Sequence, residues 1–116
     1  EGFLWGAATA SFQVEGGAEA DGKGPSIWDD FAAVEGAVLN GERPGETCDH
    51  YRLMEEDVKR MADLGLKAYR FSISWPRVLP DGTLRGGVNS AGIGFYERLC
   101  TALVASGIEP VATLYH

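Results

Sequence analysis

Tyr69-Arg70-Phe71-Ser72-Ile73-Ser74-Trp75-Pro76-Arg77 reads as a short strand that ends at a proline. Tyr69, Phe71 and Ile73 alternate with Arg70, Ser72 and Ser74, a period of two residues. Helical patterns flank the stretch on both sides, as in parallel α/β units, whose strands meet no water on either face. On that reading Arg70 is buried. A guanidinium cannot shed its charge there, so it needs a carboxylate or several neutral acceptors. An inward arginine near the end of such a strand suggests an anionic site nearby. The alternative is a half-exposed strand of an antiparallel sheet, with Arg70 in solvent.

Outward from this strand the chain alternates elements. Before it, a helix is predicted from about Asp49 to Leu64, with Tyr51, Met54, Val58 and Met61 on one face and Glu55, Glu56, Asp57, Lys59 and Arg60 on the other. Thr47 or Asp49 can cap its start, and Gly65 suits the left-handed position past its end. After the strand, Pro76, Pro80, Asp81-Gly82 and Gly86-Gly87 mark a loop. Asn89 or Ser90 then caps a second helix through about Ala105, with Phe95, Leu99, Ala102 and Leu103 inward and Gly107 as its stop. Glu109 to Tyr115 reads as a further strand, and Phe3 to Thr9 as the first one, where Gly6 implies close approach by other backbone. From Gly16 to Glu46 no period is sustained. A connection that long is functional or disordered; Ile27, Trp28 and Phe31, on one short helical turn, anchor it as an ordered active-site loop.

The order strand, loop, helix, strand, helix, strand implies parallel pairing through right-handed crossovers. Gln13 follows the first strand, Trp75 and Arg77 the second, His116 the third. Hydrogen-bonding and aromatic groups thus collect at the carboxyl end of the sheet, where α/β barrels and open α/β sheets carry their sites. No GxGxxG or GxxxxGK[ST] follows a strand, so a nucleotide fold loses its main support. Three parallel strands leave edges unpaired, whereas a barrel needs eight strands and about 250 residues. At 116 residues, beginning at Glu1 rather than Met, the chain is expected to be the first part of a larger one.

Seventeen acids against ten bases, a net charge of -7, argue against nucleic acid or an anionic membrane as partner. No apolar run is long enough to span a bilayer. Cys48 and Cys100 are far apart and lack metal-ligand spacing, which reads as two reduced thiols in a cytoplasmic protein.

Phe3-Leu4-Trp5-Gly6-Ala7-Ala8-Thr9-Ala10-Ser11-Phe12-Gln13-Val14-Glu15-Gly16-Gly17 resembles the N-terminal signature of family 1 glycoside hydrolases, the β-glucosidase family. Four further blocks are similar, in order: Gly24 to Asp29, Cys48 to Tyr51, Tyr69 to Arg77, and Thr113 to His116. Ala8 to Gln13 and Tyr69 to Ser74 look like β-glucosidases rather than 6-phospho-β-glycosidases. The resemblance implies an α/β fold: the first three strands and two helices of a (β/α)8 TIM barrel, incomplete, with residues 1–116 as the N-terminal part of one domain. It implies retaining hydrolysis of terminal non-reducing β-D-glucosyl residues by two glutamates. In the family these lie in an Asn-Glu-Pro motif after the fourth strand and a Glu-Asn-Gly motif after the seventh. Neither motif occurs here, so no catalytic residue is expected in this chain and the chain alone is expected to be inactive.

What carries over is part of the glycon pocket. Gln13 matches the family glutamine whose amide pairs with two sugar hydroxyls, and His116 the histidine that binds a sugar hydroxyl. Arg70 matches the arginine beside the nucleophilic glutamate, which supplies its expected partner. Glu15 belongs to the signature without being the nucleophile or the acid. Asp29, Asp30, Glu35 and Glu46 read as solvated loop acids, His50 and Trp28 as structural, Trp5 and Trp75 as packing residues. The implied ligand is a β-glucoside or short β-linked oligosaccharide, with no metal or organic cofactor. The alternative function is a non-catalytic sugar-binding or interaction protein on the same scaffold.

Overall fold

The computed structural model describes residues 2–43 and 45–116; Glu1 and Pro44 lie outside the described residues. In chain order the elements are β1 (Gly6–Ala8), α1 (Ser11–Val14), α2 (Ile27–Ala33), α3 (His50–Asp63), β2 (Ala68–Ser72), α4 (Trp75–Val78), α5 (Ser90–Ala105) and β3 (Glu109–Thr113). The sheet runs β1-β2-β3 and both pairs are parallel, with Ala8, Arg70 and Val111 in register. Strand order advances in one direction, as around a barrel, with no reversal of the kind that puts helices on both faces of an open sheet.

One core joins the layers. Tyr69 and Phe71 of β2 pack with Met54 and Val58 of α3, with Phe95, Tyr96, Leu99 and Leu103 of α5, and with Ile108. Both crossover helices therefore cover the same face of the sheet. The three-and-four spacing that predicts each helix also predicts which side chains enter this core.

Helix ends show the chemistry of their residues, with one difference. Asn89 caps α5 as expected, its side chain accepting from Ala91 N–H. At α3 neither expected cap operates. Asp49 takes the left-handed conformation, φ 52°, and its carboxylate accepts from Arg52 instead, at 3.0 Å. Gly65, φ 77°, ends α3 with its N–H on the Ala62 carbonyl. A Cβ on Gly6 would lie 2.3 Å from the Ala68 carbonyl oxygen, the close approach that its position implies.

Arg70 is exposed, against the expectation of burial. The period of two places it on the face opposite Tyr69 and Phe71, where α1 covers Ser72 through Ser11 but leaves Arg70 exposed. Its Nε donates to Thr113 Oγ1 at 2.9 Å, across the β2–β3 pair. β1 is shorter than expected: the Trp5 carbonyl still accepts from Lys67 N–H at 2.8 Å, but its side chain is 73% exposed, with its ring 4.8 Å from that of Phe3. The long connection contains a two-turn helix, α2, rather than one turn. It starts on a capping box, in which Ser26 accepts from Asp29 N–H while the Asp29 carboxylate accepts from Ser26 N–H.

Candidate active site

The carboxyl end of the sheet is where the chain gathers its polar groups. Beyond β1 the chain makes the single turn α1, which is fixed to the end of β2. Ser72 Oγ accepts from Ser11 N–H at 2.8 Å and donates to Ser11 Oγ at 3.2 Å. Gln13 sits on this turn and its side chain is exposed. Beyond β3, Ile73 N–H donates to the Thr113 carbonyl, so the end of β2 also aligns Leu114 to His116.

A cleft of about 740 Å³ opens at this end. Phe12, Trp28, Trp75, Tyr115 and His116 supply its rings, Lys23 and Arg77 its cations. His116 is therefore a cleft residue. Gln13 and Arg70 line it at no point: Gln13 shares α1 with the lining residues Ser11 and Phe12, and Arg70 lies exposed in the middle of β2. Gln13 and His116 follow the carboxyl ends of β1 and β3, whereas Arg70 is the middle residue of β2, and the described residues do not bring the three into one cavity. Trp75 is 47% exposed, with its indole N–H on the Gly82 carbonyl at 3.1 Å, so it forms wall rather than core. Trp28 also lines the cleft, with its ring against those of Phe12 and Phe31.

Beneath the cleft lies a buried ion pair that sequence reasoning missed. Arg77, 1% exposed, donates from Nε to Glu15 Oε2 at 2.9 Å and from Nη2 to the Gly16 carbonyl at 3.0 Å. Tyr96 OH donates to the other Glu15 oxygen at 2.6 Å and accepts from Ser74 N–H at 2.7 Å. The guanidinium carbon lies 3.9 Å above the Tyr51 ring, where the ring's negative face offsets charge that the carboxylate does not reach. Burial, then the neighbouring Glu15 carboxylate, push the Tyr96 phenol far up, so it remains a donor at any working pH. Glu15 and Arg77 stand 62 residues apart, which hides the pair from any local pattern. The available signal was a glutamate between apolar and glycine residues, since such a side chain is buried only when paired.

Asp29 is a second correction. It is a folded group rather than a solvated loop acid, binding Lys23 at 3.3 Å and both the N–H and hydroxyl of Ser26. Burial raises its pKa, but the Ser26 hydrogen bonds and the Lys23 charge outweigh that, and the net shift is downward. His50 is structural as expected: Nδ1 meets Asp57 at 2.8 Å and the ring edges contact Tyr69 and Phe95. Among the described residues no cluster of three or more His, Cys, Asp or Glu could hold a metal, and no helix is long and apolar enough to cross a membrane. Both cysteines are free thiols.

Comparison with known proteins identifies this arrangement. The model of glycosyl hydrolase family 1 matches residues 1–116. Beta-glucosidase A of Thermotoga maritima is 53% identical over 116 residues, all of this chain and 26% of that protein. Aryl-phospho-beta-D-glucosidase BglC of Bacillus subtilis is 52% identical over 114 residues, 98% of this chain and 24% of that protein. The solved structure of the Thermotoga maritima beta-glucosidase in complex with castanospermine superposes with a TM-score of 0.95 at 53% identity, covering 100% of this chain and 26% of that one. The chain thus spans about a quarter of the length of the relatives that it matches. Its three parallel strands, with their helices on one face, are an incomplete (β/α)8 barrel. From the first signature to His116, the chain belongs to glycosyl hydrolase family 1.

Proposed function

We propose that residues 1–116 are the N-terminal part of a single TIM-barrel domain of a cytoplasmic, retaining β-glucosidase, and that they supply part of its glycon pocket. The substrate class is a β-glucoside or short β-linked oligosaccharide with a terminal non-reducing β-D-glucosyl residue. The observation that carries the reading is the 53% identity over the whole chain to a beta-glucosidase. His116 in the cleft and Gln13 on the turn after β1 support it, and Arg70 on β2 would complete the pocket. The Gln13 amide can donate to one sugar hydroxyl and accept from its neighbour. The His116 ring can bond a third hydroxyl from the cleft side. Arg70, exposed on β2, would hold the nucleophilic glutamate as a carboxylate, because a nearby cation favours the charged form. The acid/base and nucleophile themselves lie outside these residues.

The test is turnover of an aryl β-glucoside by the full-length polypeptide, followed by proton NMR. β-Glucose as the first anomer released supports retention; α-glucose first overturns it. Gln13→Ala removes two hydrogen bonds of about 1.5 kcal/mol each, so kcat/KM should fall roughly 100-fold.

A second reading follows from the relative named as an aryl-phospho-beta-D-glucosidase. A 6-phosphate needs an unpaired cation or a set of N–H donors. Among the described residues the cations of the cleft are engaged, Lys23 by Asp29 and Arg77 by Glu15, which favours the unphosphorylated sugar. Preferential turnover of a 6-phospho-β-glucoside would reverse that order. Binding of β-glucosides without turnover would instead favour a non-catalytic sugar-binding protein.

A further inference from the structure

We infer that Glu15, Arg77 and Tyr96 are positioning residues for Gln13, fixing the turn from which its amide meets the sugar. This rests on the β-glucosidase reading above. The amide of Gln13 has no hydrogen-bond partner among the described residues, so its place in space is the place of its backbone. That backbone is one turn of four residues, too short to hold itself in water. It is tied at both ends by other elements. At the start, Ser72 takes Ser11 N–H. At the end, Glu15 N–H closes the turn on the Ser11 carbonyl, and the Glu15 carboxylate is held by α4 and α5 together, through Arg77 and Tyr96. Arg77 also grips the carbonyls of Gly16 and Gly17, whose φ angles of 65° and 54° turn the chain away from the sheet. The Glu15 carbonyl, in turn, accepts from Tyr51 N–H at 2.8 Å, which adds α3.

Stability alone does not call for this design. A well-packed apolar replacement of a buried ion pair is often neutral or better. What a bidentate carboxylate between a guanidinium and a phenol adds is one allowed geometry. The same Tyr96 hydroxyl that holds Glu15 also holds Ser74 N–H just past β2, so the turn and the strand end share one reference point. A misplacement of about 1 Å at a substrate-orienting group can cost as much as 100-fold in rate.

The test is a double-mutant cycle in the full-length enzyme, read as kcat/KM on an aryl β-glucoside with Tm measured in parallel. Tyr96→Phe and Glu15→Gln keep shape and remove one or more of the clamp's bonds. Each should lower kcat/KM about tenfold alone and less than about twofold in a Gln13→Ala background, because a residue acting through Gln13 has nothing left to position. If Glu15→Gln fails to fold, Tyr96→Phe decides the matter. Equal losses in both backgrounds, or a lower Tm with kcat/KM unchanged, overturn the inference while leaving the β-glucosidase reading intact. A wild-type enzyme without turnover overturns that reading, and the positioning role with it.

Discussion

Two glycines of α5, at positions 92 and 94, should respond oppositely to the same substitution. Both have helical backbone, so in both places alanine gains about 1 kcal/mol of helix propensity. At Gly94 that gain should be realised, because an added Cβ meets only the end of the Arg98 side chain, at 3.5 Å. At Gly92 the added carbon would lie 2.0 Å from the carbonyl oxygen of Arg77 and 2.8 Å from its carbonyl carbon. Both atoms are backbone, and the oxygen is also held by Asn89 Nδ2 at 2.9 Å. No rotamer relieves such a contact; α4 must move off α5 by more than about 1 Å to restore ordinary separation. Overpacking of this kind costs about 3 kcal/mol at the upper end of its usual range. The net expectation is about 2 kcal/mol of destabilisation for Gly92→Ala and about 1 kcal/mol of stabilisation for Gly94→Ala. Urea midpoints of the full-length polypeptide, followed by tryptophan fluorescence at unchanged slope, measure both. Equal shifts, or a stabilised Gly92→Ala, would refute the close docking of α4 on α5 and with it the placement of Arg77.

Phe95 is fully buried at the centre of the core, so Phe95→Ala should cost about 3–5 kcal/mol in the same denaturation assay. Asp29→Asn should cost stability at neutral pH, and the sign follows from its lowered pKa. A carboxylate depressed in the folded state stabilises above its ordinary value of 3.8 and loses that contribution as pH falls through the folded value. The gap between wild type and variant should therefore be full at pH 6 and close below about pH 4; a gap constant down to pH 3 would contradict the capping role. The isolated 116-residue chain should self-associate in sedimentation and show no turnover, since β1 and β3 present unpaired sheet edges. Turnover by the pure chain, abolished by Gln13→Ala, would contradict this.

Much of the fold was legible because the sequence carries it locally. Tyr51, Met54 and Val58, then Phe95, Leu99 and Leu103, recur at helical spacing, and each set lies against the Tyr69–Phe71 face of β2. Asn89, Gly65 and Gly107 act where their chemistry places them. Arg70 was misplaced for a definite reason: a period of two assigns a side chain to a face but does not say whether that face is covered. α2 is longer than one turn because Ser26-Ile27-Trp28-Asp29 carries capping-box spacing and no glycine or proline interrupts Ile27 to Ala33. The clamp of Glu15, Arg77 and Tyr96 is a tertiary fact whose one local trace is a glutamate set between apolar and glycine residues. The place of His116 past the third strand follows from element order; its sugar-binding role rests on the family signature, because one histidine after a strand has no meaning of its own.

The most direct test of the central claim is the intact mass of the natural polypeptide in its source, with peptide sequencing past His116. A quarter-length match to working glycosidases predicts a mass about four times 12.4 kDa, with an Asn-Glu-Pro and a Glu-Asn-Gly motif downstream. A mass near 12.4 kDa would contradict it. Inherited catalysis would then have to be abandoned, and sugar binding by the short chain would become the question.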